Sequence, residues 1–578
     1  MNDIEQIDLD NKELQQALQI IEYTRRSLFL TGKAGTGKST FLRYICKHTK
    51  KKHVVLAPTG IAAINVGGST LHSFFKLPFH PLLPNDTRFN ARNIRDTLRY
   101  NGEKRKILQE LELIIIDEIS MVRADILDFI DKVLRIYNRN MREPFGGKQL
   151  LLVGDVYQLE PVFKEEDRQF LSPFYSNAFF FDAHVFRDFQ LVCVELKKVY
   201  RQRDPLFLSI LDHIRMSEVS QPDLQMLNSR VGKPLKEDNN QLAITLSSRR
   251  DQVDYINDKH LQELPGEPTC FKGIIKGEFP ESSLPTQMEL YVKPGAQIVF
   301  IKNDIDRRWV NGTLGIVEAI DEELGVIYVI TEDGNEHEVE QEHWSNVRYS
   351  FNEKEQKIEE EEIGVFIQFP IRLAWAMTIH KSQGLTFRQV VIDFSGGIFA
   401  GGQTYVALSR CTSLNGMSLT EPIRREHVFV RPEVKQFARQ YNNDHVIAAA
   451  LSESKADKAY HDAAMAFDAG DFDQFLKQFF VAIHSRYDIE KPAAKRLIRR
   501  KLNTINLLRQ EKDMLIAERK RMDEMLKRLA VEYIMLGKEC EKEHMTDAAI
   551  ANYNKALQLY PTAPEALRRI KKLQASKN

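Results

Sequence analysis

"LFLTGKAGTGKSTFLRYI", residues 28–45, decides the reading of this chain. A short apolar run stops at a glycine-rich turn and resumes with helical periodicity, the pattern of a buried strand, a tight loop and an amphipathic helix. Gly32, Gly35, Gly37, Lys38 and Ser39 fit G-x-x-x-x-G-K-[ST]. Glycines at those positions let backbone N–H groups turn inward around an anionic group, and the helix N-terminus adds its positive dipole. Lys38 is then placed to reach β- and γ-phosphates, and Ser39 to ligate Mg²⁺.

Outward from this loop the pattern repeats. "SLFLT", "HVVLAP", "LELIIID" and "QLLLVG" are nearly continuous in apolar residues and alternate with helical stretches between residues 27 and 195. Strands buried on both faces of a parallel sheet read this way. The fold class is therefore α/β. Each strand ends in a chemically loaded turn, and ligands of open α/β sheets sit outside the carboxyl ends of the strands. A second α/β segment is expected over 196–430, with "LAITLS" and "QVVIDF" among its strands. Within it, residues 285–365 carry short strands with Asn-Gly and Asp-Gly turns, which predicts a small inserted antiparallel β-barrel. A small wedge insertion is expected near 77–108, and residues 1–26 read as a lead helix.

"IIIDEIS" supplies Asp117 and Glu118 at a strand end. Asp117 suits an outer ligand of Mg²⁺, and Glu118 a base that orients the attacking water. Gln158, in "LLVGDVYQLEPV", puts an amide where it could sense a γ-phosphate. Arg201 in "VYRQRD" and Arg410 in "YVALSRCT" are the candidate cations for the charge that develops in phosphoryl transfer.

"GKAGTGKST", "APTGIAAINVGGSTLHSFF", "DEISMVRADILDFIDKV", "GDVYQLEPV", "ELKKVYRQRDP", "AMTIHKSQGLTF" and "YVALSRCTS" follow one another in an order that resembles superfamily-one helicases, and "DEISMVRADILDFIDKVLR" resembles the signature stretch of their PIF/RecD-like group. The resemblance covers about residues 10–425. It implies two RecA-like P-loop domains with ATP and Mg²⁺ between them, and 5′→3′ translocation on single-stranded DNA with duplex unwinding. It also implies nucleotide contacts from Gln15, Gly32, Ala34, Gly35, Thr36, Gly37, Lys38, Ser39, Thr40 and Gly384, with Ser39 and Asp117 on the metal. Gln15 matches the adenine-reading glutamine, with Gln16 as the alternative.

A strand-binding track is legible beside it. Thr59, Ser69, Thr70 and His72 offer polar groups, and Phe74, Phe75 and Phe79 offer rings that would stack on bases at about 1–3 kcal/mol each, or else pack in the core. "TIHKSQGLT" adds His380, Lys381, Ser382 and Gln383.

Beyond residue 430 the chain turns almost purely helical. Residues 530–563 fit the 34-residue tetratricopeptide pattern through Tyr533, Leu536, Gly537, Ala549, Tyr553, Ala556 and Pro561, with Cys540 in place of an aromatic. Residues 467–483 read as a weaker copy. Between them runs a long basic amphipathic helix, which reads as a solvated connector or short coiled coil, or else as a groove that docks a protein partner or a basic face near DNA. The helical region 431–578 is thus expected to carry a protein-interaction tail.

With 81 basic and 81 acidic side chains there is no global basic field, so any nucleic-acid surface must be a local groove. Five scattered cysteines without a C-x-x-C favour a reducing compartment over a disulfide framework or zinc ribbon. No apolar run approaches a bilayer span of roughly 18–20 residues. These features fit a cytoplasmic protein that engages no membrane; with the resemblance, the expectation is a nucleoid-associated monomer that engages single-stranded DNA and duplex junctions. The competing reading is an ATP-switched DNA-binding scaffold without unwinding.

Overall fold

The computed structural model describes residues 10–575 except Phe79, 162–164, 201–203, 236–241, Arg307, 353–354, Gln356 and 487–491. The expected roles of Arg201 and Phe79 lie outside the described residues. Two compact units form, Met1–Asp457 and Lys458–Asn578.

The first unit is built on six parallel strands: β1 (Leu28–Gly32), β2 (His53–Ala57), β3 (Ser69–Thr70), β4 (Leu113–Ile116), β5 (Gln149–Val153) and β6 (Val192–Leu196), in the order β3-β2-β4-β5-β1-β6. Because successive side chains point to opposite faces, each apolar run feeds two cores. Phe29, Leu56, Ile114 and Leu152 enter one; Leu28, Leu30, Ile115 and Leu151 enter the other. Helices α1 (Lys12–Tyr23) and α2 (Lys38–His48) cover the second face through Ala17, Ile20, Ile21, Phe41 and Ile45. Helix Ala124–Tyr137 covers the first. The 77–108 insertion consists of irregular chain and short helices, and its Leu82, Phe89, Ile94 and Leu98 join that same core.

A second sheet has four parallel strands, ordered Ala376–Thr378, Ala243–Ser247, Gln389–Asp393 and Met417–Leu419. The antiparallel insertion is wider than 285–365, its paired strands running from Thr269 to Leu373. Its main sheet is open: five strands run from Glu336–Val339 at one edge to Ile371–Leu373 at the other, and the described pairings do not join the two edges into a barrel. A long hairpin, Glu342–Asn352 with Lys357–Gln368, leaves this insertion and reaches β2. There the Tyr349 hydroxyl donates to Val55 O at 3.1 Å and accepts from Val55 N–H at 3.0 Å. β3 covers only Leu56 and Ala57 of β2, so Tyr349 satisfies backbone groups that the ladder leaves open.

The α/β core does not end at 430. Val434 and Phe437 of helix Pro432–Ala438 are buried against Phe29 and Phe180, and the Phe437 ring stacks on Phe181 at 4.3 Å. Asn442 pairs with the edge strand β6, donating to Glu195 O at 3.1 Å and accepting from its N–H at 2.9 Å. Ile447 and Ala450 fill the opposite core. The boundary expected at 430 therefore moves to 457, because this stretch supplies apolar surface that both faces of the first sheet need.

The described residues of the second unit form helices joined by short turns: the end of Asp444–Asp468, then Phe472–Arg486, Pro492–Lys542, Thr546–Leu559 and Pro564–Ala575. Around 530–566, Ala530, Ile534, Ala549, Tyr553 and Ala556 form a small core. A Cβ on Gly537 would stand 2.5 Å from the Tyr553 ring, so only glycine lets the two helices approach here. Tyr553 also donates to Glu541 at 2.9 Å, and Arg569 donates to the same carboxylate at 2.7 Å. A second small core gathers Ala463, Phe475, Phe479, Ile483 and Ile505, and between the two the long helix is exposed at Leu507, Met514, Leu515 and Met522. Among the described residues of the chain, no helix is long and apolar enough to cross a membrane.

Candidate nucleotide site and strand track

β1 delivers the chain into the loop, and α2 begins at Lys38. Gly35 and Gly37 hold the left-handed conformation, at φ 79° and 88°, where a side chain would be strained. The Lys38 ammonium donates to Gly32 O at 2.6 Å and Lys33 O at 3.0 Å. Burial lowers its pKa, and the charges of Asp155 and Glu118 oppose that shift. Ala34 and Thr36 lie along the same turn, and Thr40 and the exposed Ser39 lie on the first turn of α2. Tyr200 N–H donates to Gly35 O at 2.9 Å, while Asn11 donates to the Tyr200 hydroxyl at 3.4 Å. This brings the N-terminus of α1, with Gln15 exposed one turn on, beside the phosphate loop.

Asp117 and Glu118 follow β4. Glu118 sits at φ 49°, a left-handed conformation unusual for a side-chain-bearing residue. Burial raises the pKa of both carboxyls, and the Asp117 charge adds to the rise at Glu118. Such a pair, within electrostatic reach of the Lys38 ammonium, is a donor set suited to a hard divalent cation with phosphate oxygens.

The second sheet closes the cleft. Tyr405 accepts a hydrogen bond from Ala34 N–H at 3.2 Å, and Asp212 pairs with Lys33 at 2.5 Å. Gln383 donates to Glu118 Oε2 at 3.0 Å and to Gln158 Oε1 at 3.3 Å. Arg410 is almost fully buried; its guanidinium donates to Leu385 O at 2.9 Å, Ser382 O at 3.3 Å and Val406 O at 3.0 Å, and its charge acts on Glu118. Gly384, at φ 85°, is exposed between those anchored carbonyls.

The track is reduced relative to the sequence expectation. Phe74 and Phe75 are buried at 3% and 0% exposure, stacked edge-on at 4.9 Å, and the Lys104 ammonium covers the Phe74 ring. They are core residues, because the hairpin bearing Tyr349 lies over them. Ser69 is buried beside β2. Ser382 is wholly buried and donates to Ile379 O. Gln383 faces the carboxylate rather than a strand. Thr59 stays exposed and caps helix Gly60–Asn65; Thr70 caps helix Leu71–Phe75, on which His72 is half-buried. Lys381 is exposed, and the His380 ring lies parallel to that of Phe399 at 6.1 Å.

Sequence reasoning missed four residues. Phe399 had a signal, an exposed aromatic in the glycine-bracketed run "GGIFAGG". Tyr405 lies within a quoted motif but was not singled out. Asp155 and Arg215 had none as a pair: the buried Arg215 guanidinium holds Asp155 through two bonds of 3.0 and 3.3 Å and Glu195 at 3.0 Å. Breaking a buried pair strands the remaining charge, so Arg215→Ala is expected to cost about 3–5 kcal/mol. Denaturant unfolding should register this as an early loss of the first unit. An unchanged midpoint would show that the pair is not structural.

The cleft and its loop define a P-loop nucleotide-binding protein whose site is completed by a second α/β domain. The chain belongs to the PIF1-like helicase family: residues 7–222 match that family's model, and the Bacteroides sp. Pif1 structure in complex with ADP-AlF4 is 40% identical, covering 75% of this chain and 97% of that one at a TM-score of 0.69. Bacteroides Pif1 bound to ssDNA is also 40% identical, covering 76% and 98% at a TM-score of 0.55. The rat (Rattus norvegicus) ATP-dependent DNA helicase PIF1 is 34% identical over 420 residues, 71% of this chain; the chain spans 61% of that protein's length.

Proposed function

We propose that this chain is an ATP-dependent DNA helicase that moves 5′→3′ on single-stranded DNA and opens the duplex ahead of it. The observation that carries the reading is the meeting of Lys38, Glu118 and Gln158 from the first sheet with Tyr405, Arg410 and Gln383 from the second in one cleft. In it, Lys38 and the loop amides would hold the phosphates of ATP, and Ser39 and Asp117 the magnesium ion. When bound, Mg·ATP supplies the phosphoanhydride whose cleavage drives the cycle and the charge that keeps both carboxylates ionised.

The chain's own residues do the rest. Lys38 exchanges its bonds to the Gly32 and Lys33 carbonyls for phosphate oxygens. Glu118 aligns the attacking water and accepts its proton. The Arg410 charge, supplied from the second domain, favours the closed cleft while negative charge develops. Closing and opening alternate the grip on the strand, which Thr59 and His72 would touch from one domain and His380, Lys381 and Phe399 from the other. Hydroxyl, ammonium and ring contacts of this kind hold a strand without reading its bases. The adenine contact is assigned to Gln15 and the helical second unit to binding a protein partner, in the manner of a tetratricopeptide scaffold. A reducing cytoplasm suits the five free thiols, and a monomer is the working unit of this reading.

Forked duplexes with either a 5′ or a 3′ single-stranded tail test it. Unwinding on the 5′-tailed substrate, with ATP turnover stimulated by single-stranded DNA, is the expected result. Unwinding confined to 3′ tails would overturn the direction. ATP binding without DNA-stimulated turnover would favour a nucleotide-switched scaffold.

A further inference from the structure

The loop between strands Ala376–Thr378 and Gln389–Asp393 turns two sets of groups in opposite directions. Outward stand exposed Lys381 and the His380 ring, parallel to exposed Phe399. Inward points Gln383, whose single amide nitrogen reaches both Glu118 Oε2 and Gln158 Oε1. Gln158 in turn donates to Asp155 at 3.4 Å, and Asp155 is held by Arg215. The result is a continuous line of hydrogen bonds from a fixed ion pair to the carboxylate expected to act on water.

The loop is not free to drift. Arg410 grips the carbonyls of Ser382 and Leu385, on either side of Gln383, and Ser382 Oγ is bonded to Ile379 O. These bonds tie residues 379–385 into one braced piece, so a strand that pulls on His380 and Lys381 moves Gln383 with them relative to Glu118. With the Gln383 bond in place, Glu118 Oε2 and the Gln158 acyl oxygen are both engaged by a donor other than water or phosphate.

We propose that Gln383 is the positioning residue through which strand contact controls ATP turnover: it restrains Glu118 and Gln158 until His380, Lys381 and Phe399 engage single-stranded DNA and shift the loop. The proposal rests on the helicase reading above. It assigns Gln383 to the hydrolytic carboxylate rather than to the strand, and it adds Phe399 to the strand-contacting face.

The test is steady-state ATP turnover of the full-length protein, wild type and Gln383→Ala, with and without oligothymidylate, alongside thermal unfolding and oligothymidylate affinity. The DNA-free rate is expected to rise roughly tenfold in the variant, the scale of one lost hydrogen bond to a charged group. The ratio of stimulated to unstimulated rates should fall toward one, with affinity for oligothymidylate and the unfolding temperature unchanged. Gln383→Leu, which fills a similar volume but donates no hydrogen bond, should behave alike, which separates release of the carboxylate from loss of packing. Weakened DNA affinity with the DNA-free rate unchanged would make Gln383 a strand contact and overturn the proposal. A fall in both rates would make it an aid to Glu118 and overturn it equally. A wild type that DNA does not stimulate removes the helicase reading itself; a stimulated wild type with an indistinguishable variant removes only this inference.

Discussion

Glu118→Gln is expected to bind ATP at near wild-type affinity and to turn it over about 10²–10⁴-fold more slowly, the usual contribution of a general base. The substitution keeps shape and the left-handed backbone at φ 49° while removing the proton acceptor. Lys38→Ala makes the informative contrast. Lys38 spans the Gly32 and Lys33 carbonyls and balances the charges of Asp155 and Glu118, so its loss should weaken nucleotide binding and abolish turnover together. Nucleotide affinity by calorimetry and ATP turnover with saturating single-stranded DNA separate the two. Near-normal stimulated turnover in Glu118→Gln would remove Glu118 from the base role.

The second large effect concerns where the motor ends. Residues 1–457 are expected to fold alone, with DNA-stimulated turnover within an order of magnitude of the full chain, since residues 458–578 form a separate compact unit. Residues 1–431 should aggregate or melt far lower. That shorter chain loses Val434 and Phe437 from one core and Ile447 and Ala450 from the other, and it uncovers β6 where Asn442 pairs with Glu195. Each large apolar side chain removed from burial forfeits about 1.5–3 kcal/mol, and the sum is comparable with a whole domain's stability of about 5–15 kcal/mol. Melting curves and soluble yield of the two truncations decide it. A 1–431 chain with the melting curve of 1–457 would show that the 432–457 stretch is dispensable packing.

The phosphate loop, the four apolar strands that open the chain and the helical tail were readable in the sequence because local terms decide them. Glycine φ, strand burial on two faces and helical periodicity are settled within a few residues of one another. The order of the motifs was equally legible, and with it the family.

What the tertiary structure alone decided is burial and partnership across long separations. Phe74 and Phe75 look the same in sequence whether they stack on bases or fill a core; the hairpin carrying Tyr349 settles them, arriving from the antiparallel insertion. Ser382 reads as a polar loop residue until Ile379 O is found bonded to it. Gln383 reads as a strand contact until the second domain sets it on Glu118. The run after residue 430 reads as tail until its phenylalanine and isoleucine are seen in the motor's cores. The physical reason is common to all four. The period of a pattern tells which residues share a face, whereas the surface that covers that face comes from a segment distant in sequence, whose approach no local preference encodes.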